Sequence, residues 1–180
     1  MSFQSRMQAV QSPIIPIVGR WTRDNSGTIS LGQGIVSYPP PPEVYAAIAT
    51  LDPMVNRYQD VQGLPMLRDL ICNKLRQENN IVVNGIEQVV VTAGSNMGFM
   101  NAILAITQPQ DEIILLSPYY FNHEMAVRMA DAVPVLVETT ETFQLDLQAI
   151  AGAITDRTRA IVTISPNNPT GAVYAPEDLL

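Results

Sequence analysis

Residues 111–138 read "DEIILLSPYYFNHEMAVRMADAVPVLVE". The segment "DEIILLSP" has the apolar run of a buried strand, "YFNHEMAVRMADA" reads as a helix, and "VPVLVE" reads as a second strand. Working outward, "EQVVVTAG" upstream reads as a strand and "SNMGFMNAILAIT" as a helix. Downstream, "DLQAIAGAIT" reads as a helix with Asp146 as its N-cap, and "RAIVTISP" as a strand. Four apolar strands alternating with three helices predict an α/β fold, a three-layer α/β/α arrangement around a mostly parallel sheet. In such sheets ligands collect beyond the carboxyl ends of the strands, so the strand ends are where chemistry is sought.

Before residue 86 the pattern is less regular. "SPIIPIV" and "YPPPPEV" mark the first 42 residues as an extended arm with stiff stops. A small helix is expected from Pro42 through "EVYAAIATL". A longer one follows Gly63, with Pro65 at its first position and Leu64, Leu67, Leu70, Ile71 and Leu75 on one face. The domain expectation is an N-terminal arm and part of a small domain over 1–45, then the first part of a larger ligand-binding domain over 46–180.

Composition sets the outer bounds. The 180 residues are 47% apolar and 15% charged, a globular balance. A net charge of −7 argues against nucleic acid and anionic membrane surfaces as partners. The lone cysteine, Cys72, allows no internal disulfide and suits a reducing compartment. No secretory signal and no run of 18 apolar residues is present, so a cytoplasmic protein is expected. No metal-ligand set is assigned.

Three strand ends carry polar chemistry. In "VVVTAGSNMG", Gly94 permits a tight turn and Ser95 is expected to cap a helix whose free N–H groups suit a phosphate. Neither GxGxxG nor a Walker loop is present. The bland reading is a capped helix after a strand. In "LLSPYYFNH", Tyr119 and Tyr120 are placed to stack on a flat ring, or else to form an apolar lid. His123, alone, reads as structural. In "SPNNPTGAVY", Asn168 precedes Pro169, which biases it to an extended backbone and leaves its amide free to donate to a ligand oxygen, or else simply to make a turn. A phosphate seat, a stacking ring and an amide donor at one crevice together suit pyridoxal 5′-phosphate.

At these residues the chain resembles the class I/II aminotransferases, fold-type I pyridoxal-phosphate enzymes, from about Leu31 onward. The resemblance implies that Asn168 bonds the ring hydroxyl oxygen, that Gly94, Ser95 and Asn96 form the phosphate loop, and that Tyr120 rather than Tyr119 stacks on the ring. "RYQDVQGLPMLRDLI" is similar to a segment whose Tyr reaches the neighbouring subunit's phosphate, which implies Tyr58 in that role and a homodimer. "LGQGIVSYPPPPEV" is similar to the substrate-contacting segment, with Gly34 as a backbone contact. The family more often has an acidic residue and Pro-Asp after that Gly; Ile35, Val36 and Ser37 imply a different substrate pocket.

The activity implied is transfer of an amino group between an amino acid and a 2-oxo acid. A lyase of the same fold, or a non-catalytic ligand-binding module, stays open as an alternative. The family needs a Schiff-base lysine. The one lysine here, Lys74, sits mid-helix in "LICNKLRQ" and reads as a surface residue. No catalytic residue is therefore assigned in this chain. The lysine, the carboxylate facing the ring nitrogen and the carboxylate-gripping arginine are expected beyond Leu180. "APEDLL" reads as the first turn of a new helix, so the chain is expected to be the N-terminal portion of a longer protein.

Overall fold

The structure, a computed structural model, describes residues 6–32, 34 and 36–179. The chain divides into two compact units, one of Ser12–Val91 and one running from Thr92 to the C-terminus that also takes in the segment ending at Gln11.

The Ser12–Val91 unit holds α1 (Ile15–Asp24), α2 (Pro42–Ala49) and α3 (Pro65–Asn79). Helix α1 corrects the expected extended arm. Pro16 occupies its first turn, where an N–H would have no partner in any case, so the proline starts a helix rather than preventing one. Helices α2 and α3 start at Pro42 and Pro65 as their sequences predict. The expected apolar face of α3 is only partly its buried face, with Ile71 and Leu75 half-buried. Leu64, Leu67 and Leu70 are 43%, 40% and 58% exposed, while Arg68 and Cys72, one turn apart, are buried. Arg68 is drawn inward by carbonyls. Its Nε donates to Val89 O at 2.9 Å and to Ile86 O at 3.1 Å.

Those carbonyls belong to the segment expected as the first strand, and here too the structure differs. Ile86–Gln88 forms a 3-10 turn, and the residues that follow have no sheet partner among the described residues. The Val91 N–H donates to Gln62 O at 2.8 Å, a loop carbonyl, in place of a ladder. Gly63 makes this approach possible. Its φ is +103°, and a Cβ there would lie 2.7 Å from Val91 Cγ2.

The second unit holds α4 (Ser95–Ile106), β1 (Glu112–Ser117), α5 (Phe121–Met129), β2 (Val133–Glu138), α6 (Leu147–Ala153) and β3 (Thr158–Val162). The strands form one parallel sheet in the order β2-β1-β3, with Ile114 opposite both Val135 and Ile161. Central β1 is buried on both faces. Ile113 and Leu115 pack with Ile103 of α4 and Val127 of α5; Ile114 and Leu116 pack with Val137 of β2 and Ile150 of α6. Helices therefore cover both faces, the α/β/α layering that the alternation predicts. Asp146 caps α6, its Oδ1 accepting the Ala149 N–H at 2.9 Å.

The amino end of β1 is clamped by charge. Asp111 accepts from Arg159 Nε at 2.9 Å, and Glu112 accepts from Arg157 Nε at 2.9 Å and Thr155 Oγ1 at 2.6 Å. These donors hold both carboxyls below their ordinary range, the Arg159 hydrogen bond first for Asp111 and the Thr155 hydroxyl first for Glu112. The opposite, carboxyl end is open, and the candidate site lies there. No helix among the described residues is long and apolar enough to cross a membrane.

Candidate functional site

Three segments of the second unit meet at the carboxyl end of the sheet. The first is the entry to α4. Gly94, with φ +81°, is its N-cap, and Ser95 is its first helical residue. The expected Ser95 cap is thus displaced by one residue, because the chain reaches helical geometry immediately after the left-handed glycine. No side chain caps this helix, and its first turn has no acidic residue. Gly98 N–H is bonded to Gly94 O, while Gly94, Ser95, Asn96 and Met97 are exposed. The amides of the first turn are therefore presented outward with the positive end of the helix dipole. A Cβ on Gly94 would meet nothing within 4 Å, so the cradle is open to a group from outside. A phosphate matches this uncapped, exposed, non-acidic turn.

The second segment follows β1. Tyr119 and Tyr120 part company here. Tyr119 packs against the core shared by β1, α4 and α5, and its hydroxyl donates to Glu124 at 2.6 Å. Burial first, then the Glu124 carboxylate, pushes its phenol up to about 12. Tyr120 stands at the N-cap of α5 with its ring half-buried, 5.3 Å from Phe121 and edge-on to His123 at 5.3 Å. The Asn122 amide donates to its hydroxyl at 2.6 Å. His123 in turn stacks on Phe99 of α4, centroids 3.9 Å apart and planes within 17°. Burial pushes the His123 pKa down, and its buried Nδ1 has no hydrogen-bond partner among the described residues. The Phe99–His123 stack joins α4 to the Tyr120 segment.

The third segment follows β3. Buried Asn167 organises it. Its Oδ1 accepts from Thr170 N at 3.1 Å and Thr170 Oγ1 at 2.9 Å, and its Nδ2 donates to Tyr174 Oη at 3.3 Å. Nδ2 also reaches Pro118 O at 3.4 Å and so ties this loop to the one after β1. Asn168, next in sequence, is exposed, with its amide turned to none of the hydrogen bonds that hold the turn. Asn167 and Thr170 thus build the turn, and Asn168 is left outside it.

The structure therefore brings Gly94, Ser95, Asn96, Tyr120 and Asn168 to one end of one unit. Gly34 and Tyr58 lie in the other unit, both exposed and outside any helix or strand. Lys74 is on the exposed side of α3, donating to Asn79 Oδ1 at 2.8 Å and 3.2 Å from Glu78. Sequence reasoning did not single out Phe99 or Asn122. The only signal for Asn122 is a polar residue two positions after an aromatic at a helix start.

The profile of the family described as aminotransferase class I and II matches residues 26–180. The chain is 44% identical over 125 residues to the aspartate/prephenate aminotransferase of Thermus thermophilus, covering 68% of this chain and 32% of that protein. It is 32% identical over 186 residues to the aspartate/prephenate aminotransferase of Nitrosomonas europaea, covering 99% of this chain and 47% of that one. The solved structure of the Thermus thermophilus aspartate aminotransferase with maleate superposes with a TM-score of 0.89 at 37% identity, over 99% of this chain and 49% of that chain. The chain spans between about a third and a half of the length of the curated relatives it matches.

Proposed function

We propose, because the chain belongs to the class I and II aminotransferase family, that the protein transfers an amino group between an amino acid and a 2-oxo acid with pyridoxal 5′-phosphate as its cofactor. The observation that carries this reading is the uncapped, exposed first turn of α4, a helix whose Phe99 stacks on His123 beside Tyr120, together with the exposed Asn168 after β3.

In this reading the Gly94, Ser95 and Asn96 segment holds the phosphate through backbone N–H groups and the helix dipole. Tyr120 covers one face of the ring, and the Asn168 amide donates to its hydroxyl oxygen. Pyridoxal phosphate, when bound, supplies an electron sink for the negative charge that develops beside the amino group. These residues bind and orient; none of them transfers a proton. Gly34 offers a backbone contact to the substrate. Tyr58 reaches the phosphate of a second subunit, so the protein works as a homodimer in the cytoplasm. Residues 1–45 belong with a smaller domain and 46–180 begin the cofactor domain.

The test, on the whole protein that contains this chain, is uptake of pyridoxal phosphate, measured as cofactor retained after gel filtration, followed by amino-group transfer from aspartate or glutamate to prephenate and other 2-oxo acids. These donors and acceptors are chosen because the relatives carry aspartate and prephenate in their names. Asn168→Ala is expected to weaken retention. A wild-type chain that retains no cofactor overturns the reading.

A further inference from the structure

We infer that Asn122 is a positioning residue that fixes the Tyr120 ring for the cofactor, an inference that rests on the functional reading above. Tyr120 sits at the N-cap of α5 with an extended backbone, φ −72° and ψ 113°, and its side chain makes no capping bond. No capping bond therefore holds the phenol. Two neighbours do. His123 meets the ring edge-on at 84°, and the Asn122 Nδ2 donates to the phenol oxygen at 2.6 Å, its only polar partner among the described residues. The ring is thus restrained at its side and at its tip, which removes the rotations that a stacking ring would otherwise lose on binding.

The donor direction matters. An amide N–H takes one lone pair of the phenol oxygen and leaves the phenolic proton pointing away from Asn122. Asn122 also lines, with Asn96, a cleft of about 190 Å³ whose other walls include Met100, Met125 and Met129. One amide therefore borders both the stacking ring and a residue of the phosphate seat.

A double-mutant cycle on the full chain tests this. Asn122→Ala puts a strong helix former into the first turn of α5, so the fold is retained. The expected result is cofactor binding about three- to tenfold weaker for Asn122→Ala and a similar loss for Tyr120→Phe, with the double variant no weaker than either single one. In the cofactor-free protein, Tyr120→Phe is expected to move the side-chain amide resonances of Asn122 in a nitrogen-15 spectrum. Losses that add, or resonances that stay in place while wild type takes up cofactor, overturn the inference alone. Failure of wild type to take up cofactor overturns the functional reading and the inference together.

Discussion

The segments "EIILLS" at 112–117 and "EQVVVT" at 87–92 are alike in length and apolar content, yet only the first is a strand. β1 is bonded along both edges and buried on both faces, with Ile113 and Ile114 at 0% exposure. The residues after Gln88 are extended but hold to a loop carbonyl and a buried guanidinium, and Val90 is 57% exposed. A β-branched run specifies an extended backbone; its identity as a strand resides in its partners. The sharpest way to break this contrast is to truncate one side chain in each. Leu115→Ala is expected to cost about 2–5 kcal/mol, because Leu115 is central to a packed layer, and Val90→Ala to stay within about 0.5 kcal/mol. Urea midpoints of the two variants check it; equal losses would show that both segments are core.

Arg68 is what the second segment has in place of a sheet. Removing its guanidinium leaves the Ile86 and Val89 carbonyls without their donors in a buried place. Each such loss is worth about 1–3 kcal/mol, less where water enters. Arg68→Ala is therefore expected to destabilise by about 2 kcal/mol and to raise amide exchange at Val91. An unchanged exchange rate at Val91 would show that the Gln62 bond alone holds the segment.

The two ends of β1 offer a smaller contrast. The carboxyl end leads to the half-buried Tyr119 and Tyr120, whereas the amino end is closed by Asp111–Arg159 and Glu112–Arg157 pairs. Both carboxyls titrate below their ordinary range, so the stability they contribute is full above the unfolded carboxylate range near 4 and is lost as pH falls through the folded values. The urea midpoint is expected to fall as pH is lowered from 5 to about 2. The fall should be shallower when Arg157 and Arg159 are both replaced by Gln. An identical slope in that variant would place the acid sensitivity elsewhere.

These contrasts also explain what the sequence discloses. The alternation from residue 111 on is legible because the apolar runs of the strands are set off by helical segments between them, and α6 has its start signal in Asp146. Helix α1 is hidden because Pro16 reads equally as a stop and as a first-turn residue. The buried side of α3 is hidden because Arg68 is drawn in by carbonyls 18 and 21 residues away, which no local periodicity reports. In the site, motif residues are legible and their division of labour is not. Adjacent Asn167 and Asn168 are chemically identical, and only the bonds to Thr170, Tyr174 and Pro118 mark Asn167 as the builder of the turn. Tyr119 and Tyr120 are separated in the same way, by the Glu124 bond and core contacts of the first.

The smallest expected effect is at Lys74, and its smallness is informative. Its ammonium lies 3.2 Å from Glu78 at i+4, with the two side chains 53% and 65% exposed. Such a pair gains little, because water screens the charges and two long side chains must be ordered. Lys74→Ala is expected to change stability by no more than about 0.5 kcal/mol. The helix also holds Lys74 on the solvent side of the unit that contains neither Tyr120 nor Asn168. Borohydride reduction of the 180-residue chain with pyridoxal phosphate, followed by peptide mapping, is therefore expected to show no more label on Lys74 than on the N-terminal amine. Stoichiometric label there would mean that the one lysine of the sequence reaches the cofactor.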